Sequence, residues 1–216
     1  MDGKEHSHAF LKNQPETACA VVAATRGGGE GSLSVMSSIR QMTFLKTTQS
    51  GFAGYLKDEY TLLPECDERC LASELSAEWS YTSGSGRPST VDYAGVRAKV
   101  KEELLRGLFG PPQTGVFSAS LQATVYDAAC LTLAAVPEVQ SVAIDTPNLH
   151  YLPTSQLLPK LGEGTNKFEN DVFVPTSEPS GTIHCTVSRD GGSSQRVPGD
   201  SRSKSWGVLG SLLGGK

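Results

Sequence analysis

Five side chains far apart in the sequence have types suited to holding and working on a flat polar molecule: Phe52, Arg69, Gln122, Asn148 and His150. The guanidinium of Arg69 is a rigid fork that matches planar acceptors in two places at once, although after the acidic run Glu65 to Glu68 it also suits a surface ion pair. Gln122 falls in the first turn of a helix opened by Ser118-Ala119-Ser120, where unpaired backbone N–H groups and the positive dipole end favour an anion; plain capping is the ordinary alternative. Asn148 and His150 lie two apart at a strand start after a proline, so both side chains point to one side. There the imidazole is able to move protons near neutral pH, against the ordinary role of a hydrogen-bonded core histidine. A lone aromatic, Phe52, stands among the small residues Gly51, Ala53 and Gly54.

Other groupings carry less. His6 and His8, spaced by two, would face one way on a strand and could grip a metal, but no third ligand of suitable spacing stands nearby and packing histidines are commoner. Cys66 and Cys70 have three residues between them instead of the two typical of redox or zinc motifs, and no second pair accompanies them. The glycines at 27–31 lack the lysine and hydroxyl of a phosphate loop and read as a turn. Five cysteines (Cys19, Cys66, Cys70, Cys130, Cys185) without regular spacing read as free thiols in a reducing compartment. A formal net charge of −4 among 216 residues argues against nucleic acid, which selects a basic face. No apolar run reaches the roughly 20 residues that cross a bilayer.

Positioning such scattered groups needs a scaffold. Residues 8–26 suggest two short strands around a turn at 12–16, forming a hairpin. Residues 32–48 and 70–81 alternate as sheet strands, the second with Leu71, Leu75, Ala77, Trp79 and Tyr81 on one parity. Ser89, with Asp92 three positions on, predicts a helix start, and Tyr93, Val96, Val100, Leu104 and Leu108 define its apolar face before Gly110-Pro111-Pro112 ends it. A second helix, capped by Ser118 or Ser120, sets Leu121, Val125, Ala129, Leu133 and Val136 on one face and stops at Pro137. Strand character returns at 139–151, interrupted by the turn-prone Thr146-Pro147-Asn148, and again at 172–187. The order ββααββ implies an α+β layer, an antiparallel sheet carrying two helices on one face. The Gly/Ser-rich 83–89 reads as a loop, and the segment beyond 190 as a flexible tail.

The run Lys46-Thr47-Thr48-Gln49-Ser50-Gly51-Phe52, followed at fixed offsets by Tyr55, Tyr60, Leu63 and Arg69, resembles the signature of urate oxidase, the cofactor-free uricase family. Met42 and Phe44 stand where the family usually has Val or Leu. Stretches at 2–10, 117–126, 147–151 and 181–187 extend the resemblance over roughly residues 1–189. It implies the tunnelling fold (T-fold). It also implies a purine lying flat on Phe52, whose small neighbours Gly51, Ala53 and Gly54 leave room for the ring face, gripped by Arg69 and Gln122, with a backbone contact at Leu121, where the family usually has valine. Asn148 matches the residue holding O2 or water above the ring, and His150 the histidine of the proton relay.

The implied reaction is oxidation of urate by O2 to 5-hydroxyisourate and H2O2 without metal, flavin or other cofactor. The implied partners are urate, O2 and further copies of the chain, in a homotetramer with sites between subunits; neither nucleic acid nor membrane is implied. By the same resemblance, residues 1–31 match the terminal hairpin of an otherwise missing first domain, 32–190 a complete second domain, and 191–216 a tail. Residues 1–6 read like a turn inside a larger protein. The lysine and threonine that begin the family's proton relay belong to that first domain, so the chain is expected to be truncated and inactive alone. Eukaryotic members commonly end in a peroxisomal Ser-Lys-Leu; here Ser203-Lys204-Ser205 is not terminal, which leaves the cytosol as the other compartment. Two alternatives stay open: a purine-binding T-fold protein without turnover, and a pterin enzyme of the same fold, whose His/Cys ligand set has no match here.

Overall fold

The computed structural model describes residues 5–12, 16–25, 32–82, 90–154 and 172–189; the turn at 27–31, the loop at 83–89 and the tail 191–216 lie outside them. The elements follow as β1 (Ala9–Leu11), β2 (Thr17–Thr25), β3 (Ser32–Lys46), β4 (Leu71–Tyr81), α1 (Tyr93–Phe109), α2 (Leu121–Ala135), β5 (Val139–Pro153), β6 (Phe173–Thr176) and β7 (Thr182–Ser188). All seven strands join one antiparallel sheet whose central path is β3, β4, β5. From β3 onward this is the predicted ββααββ order, with the last strand in two pieces.

The sheet divides its residues by parity. On β4, Leu71, Leu75, Ala77 and Trp79 are buried, while Glu74, Ser76, Glu78 and Ser80 are only partly covered, so one face carries the core. Ile39, Met42 and Phe44 of β3 and Val142 and Ile144 of β5 complete that face. The helices cover it with Val100, Leu104 and Leu108 from α1 and Leu121, Val125 and Ala129 from α2. Gly107 lets the helices meet, since a Cβ there would stand 2.6 Å from the Ala128 Cα.

Helix ends follow local chemistry, with one revision. Asp92, expected inside the first turn, is itself the cap of α1: its carboxylate accepts from the Gly95 N–H at 3.0 Å, and α1 starts three residues later than a Ser89 cap implies. Gly110, at φ 69, ends α1. Ser120 caps α2, accepting from the Ala123 N–H at 3.1 Å. At the other end of α2, Arg189 donates from Nε to the Val139 carbonyl at 2.6 Å and from Nη2 to the Leu133 and Val136 carbonyls. A cation thus fills the negative end of the helix dipole.

Two expectations about strands are corrected. β1 and β2 do not pair with each other; both lie along the outer edge of β3, Ala9 opposite Lys46 and Thr17 opposite Arg40. The division between them falls beside a bulge of β3 against β4 between Ile39 and Met42, where Gln41 has φ 65. The hairpin is instead β2 with β3, closing from Thr25 to Ser32. Thr146-Pro147-Asn148 does not interrupt β5. Pro147 faces Thr182, the first residue of β7, so its missing N–H falls where that ladder begins, and its carbonyl accepts from the Ser73 hydroxyl at 2.7 Å.

One end of the sheet gathers the features that matter. Lys46 ends β3 opposite Leu71, which begins β4, and Ala72 pairs with Leu149 near the end of β5. Because α2 turns directly into β5 and packs back over β5 and β7, its first turn lies at this same end.

Leu75→Ala, which opens a hole in a fully buried position, should cost about 2–5 kcal/mol in urea denaturation. Val22→Ala, at an edge position 61% exposed, should stay within about 0.5 kcal/mol. Equal losses would mean the helix-covered face is not where the stability resides.

Candidate functional site

The connection between β3 and β4 folds back on itself. Phe52 and Cys66 form an antiparallel bridge, with the Phe52 N–H donating to the Cys66 carbonyl at 2.7 Å and the Cys66 N–H returning at 3.0 Å. The Arg69 N–H donates to the Ser50 carbonyl at 2.8 Å, and its Nε to the Gly51 carbonyl at 3.0 Å. These bonds set the Arg69 guanidinium carbon 5.2 Å from the centre of the Phe52 ring, within the range of cation–π attraction. The terminal guanidinium nitrogens make no hydrogen bond among the described residues, so they stay available for a ligand. Partial burial pushes the Arg69 pKa down, with the Cys66 thiol opposing. From so high a starting value the group remains a cation.

The segment ahead of α2 runs beside this loop. Ser50 and Ser118 form a parallel bridge: the Gly51 N–H donates to the Ser118 carbonyl at 2.8 Å, the Ser118 N–H to the Gln49 carbonyl at 2.9 Å, and the Ala53 N–H to the Ala119 carbonyl at 3.1 Å. Ala119 lies two residues before Leu121, so this ladder brings the first turn of α2 against the Phe52 loop. Leu121 is buried, whereas the Gln122 amide is exposed and makes no hydrogen bond among the described residues. The N–H groups of these two residues, the first of the helix, lack intrahelical partners. Phe52 and Arg69 are thus in contact, and the backbone ladder brings Gln122, at the positive end of the α2 dipole, to the same loop.

Asn148 and His150 reach the same end by register. Leu11, Phe44, Ser73 and Asn148 form one cross-strand row, placing Asn148 on the face of the buried Phe44. The Asn148 N–H donates to the Gly181 carbonyl at 2.7 Å, and a Cβ on Gly181 would come within 3.1 Å of the Asn148 amide nitrogen. His150 donates from Nε2 to the Pro179 carbonyl at 3.1 Å, which leaves Nδ1 as the acceptor of the neutral ring. Among the described residues no hydrogen bond or ring contact joins either one to Phe52, Arg69 or Gln122. They share a sheet end and a face.

Several details lay beyond the sequence reading. Tyr55 stacks on Phe52 with centroids 4.4 Å apart and planes at 24°, and its hydroxyl donates to the Leu63 carbonyl. With Tyr55 stacked on it and the Arg69 guanidinium over it, the Phe52 ring is flanked by two side chains of the same loop. Gly51 does not serve to clear the ring: a Cβ there would stand 2.5 Å from the Cys66 carbonyl oxygen, so the glycine permits the close approach of the returning strand. His8 is a clip. Its Nδ1 is 2.6 Å from the Thr48 hydroxyl and its Nε2 3.0 Å from the Gln113 carbonyl, while His6 Nδ1 accepts from the His8 N–H. Among the described residues no cluster of three or more His, Cys, Asp or Glu side chains could hold a metal ion. A groove of about 230 Å³ on the sheet, lined by Phe10, Leu45, Ala72, Leu149 and Tyr151 among others, includes none of the expected site residues.

Comparison with known proteins gives this arrangement a context. Residues 35–184 match the family model described as Uricase. The chain is 40% identical to a uricase of Arabidopsis thaliana over 193 residues, 88% of this chain and 60% of the relative. It is 36% identical to a uricase of Oryctolagus cuniculus, covering 87% and 59% respectively. Among solved structures, the uricase of Arthrobacter globiformis superposes with a TM-score of 0.65 at 27% identity, over 87% of this chain and 63% of that one. The α+β fold with two helices on an open antiparallel sheet is thus shared with these proteins. The chain spans about 60% of the length of the curated relatives it matches.

Gly51→Ala should force the 50–52 and 66–69 segments apart at a cost of about 1–3 kcal/mol. Hydrogen exchange at the Phe52 and Cys66 amides reads the change; unaltered protection there would contradict the close approach.

Proposed function

Since the chain belongs to the uricase family, we propose that it carries the purine-binding part of a urate-oxidising site. The observation supporting this reading is that Phe52, Arg69 and the first turn of α2 are held together at one loop. Urate is a flat anion. Phe52 stacks on its ring once the Arg69 guanidinium moves from above Phe52 to the purine's edge, where its terminal nitrogens and the Gln122 amide pair with the carbonyl oxygens and ring nitrogens, and the Leu121 N–H supplies a further donor. Asn148 holds O2 or water above the ring, and Nδ1 of His150 takes part in proton transfer.

The overall change, urate with O2 and water giving 5-hydroxyisourate and H2O2, is one in which the protein stabilises an electron-rich deprotonated purine and positions the oxidant. The residues above perform it without a cofactor. The lysine and threonine that complete the relay come from a preceding domain, supplied to each site by another subunit. In support, nearly all of β2 is exposed, with Val21 at 58% and Val22 at 61%, as suits strands that continue a neighbouring sheet. Residues 1–31 are accordingly the closing strands of a first domain and 32–190 the second. Leu56, Leu62 and Leu63, all exposed on the site loop, suit burial between copies of the chain.

The separation of Asn148 and His150 from Phe52, Arg69 and Gln122, to which no hydrogen bond or ring contact joins them among the described residues, favours a second reading beside the first, a chain that binds purines without turning them over. One experiment separates them. Residues 1–216 are expected to bind xanthine, a planar purine probe, while urate absorbance stays constant. Phe52→Ala should weaken that binding about 10–100-fold through loss of stacking. Arg69→Lys should weaken it about tenfold by replacing the fork with a point charge. Absence of xanthine binding would sink the purine-site reading, and urate turnover near that of a full-length relative would sink the half-site reading.

A further inference from the structure

Lys46 ends β3 on the core face and is completely buried. Its ammonium donates to three uncharged oxygens: the Leu108 carbonyl of α1 at 3.2 Å, the Ser118 hydroxyl at 2.9 Å, and the Val116 carbonyl. No carboxylate bonds to it among the described residues. A buried charge without a counter-ion is expensive. The cost is visible in its pKa, pushed down by burial to about 8, which still leaves the group protonated at neutral pH. An apolar side chain would fill the same volume without that cost, so the charge has to be explained by what its three bonds join.

They join the end of α1, the segment leading into α2, and β3 at the point where the chain leaves for Phe52. Ser118 is both a ligand of the ammonium and the residue whose backbone pairs with Gln49 and Gly51. One atom of Lys46 is thus tied through Ser118 to the rung that sets the Phe52 loop against the first turn of α2. We propose that Lys46 is a positioning residue of the purine site: its ammonium clasps residues 116–118 and thereby fixes the spacing between Phe52 and Gln122. An ammonium suits this role because its three donors match three acceptors around a point, whereas the planar fork of arginine does not.

The test has two arms, and only the second rests on the purine reading. In residues 1–216 carrying Lys46→Met, amide exchange at Gly51, Ala53 and Ser118 should accelerate at least tenfold. Exchange at Ala77 and Val142, in the middle of the sheet, should change less than threefold. In the same protein, measured well below its unfolding midpoint, xanthine binding should weaken at least tenfold. Unchanged exchange at the three amides would overturn the proposal, as would protection lost equally across the sheet, or full xanthine affinity despite local loosening. If Lys46→Met does not fold, Ser118→Ala decides: faster exchange at Gly51 and Ala53 alone supports the clasp, and no local change refutes it. If the unsubstituted chain binds no xanthine, the purine reading falls and the exchange arm still judges the clasp.

Discussion

The arrangement depends on one buried ammonium. Lys46 stands under the point where three separate parts of the chain meet, and its donors reach the end of α1, the approach to α2 and, through Ser118, the loop bearing Phe52. A protein interior tolerates such a charge only when its hydrogen bonds are made, so breaking any one leaves a donor unpaired in a place water does not reach. That penalty makes the junction stiff. The His8 clip adds a second tie nearby, holding the N-terminal segment to Thr48 and to the Gln113 carbonyl between the helices.

Around this junction, the site is built mostly from backbone. The ladder from residues 49–53 to 118–119 and the bridge from Phe52 to Cys66 use main-chain groups, leaving the terminal nitrogens of Arg69 and the Gln122 amide for a ligand. Where a side chain intrudes, it is a buttress: Tyr55 supports one face of the Phe52 ring. A platform held this way loses little entropy on binding, the usual advantage of preorganisation.

The sheet contributes by ending in the right place. β3 stops and β4 starts at one level, which β5 passes at Asn148 and Leu149 on its way to Pro153, so residues up to about a hundred apart in sequence meet at this end of the sheet. Both outer strands of the central path carry two shorter strands in tandem, β2 and β1 on β3, β7 and β6 on β5. On the β3 side the division lies beside the bulge at Gln41. On the β5 side, β7 pairs as far as Pro147 and β6 takes over from His150.

What the sequence determined alone was whatever depends on near neighbours. The 3.6-residue spacing of Val96, Val100 and Leu104, the parity of Leu71, Leu75 and Trp79, and the stop at Gly110 are local and readable. So was the motif from Lys46 to Arg69, because its offsets are fixed along the chain. The tertiary structure decided what depends on partners distant in sequence. The edge of β3 taken by β1 and β2, the passage of β5 through Pro147, the reason for Gly51, the stacking of Tyr55 on Phe52 and the burial of Lys46 each depend on a contact that no spacing rule encodes. A lysine beside two threonines reads as a surface residue until three carbonyl and hydroxyl oxygens, more than sixty residues away along the chain, are seen to enclose it.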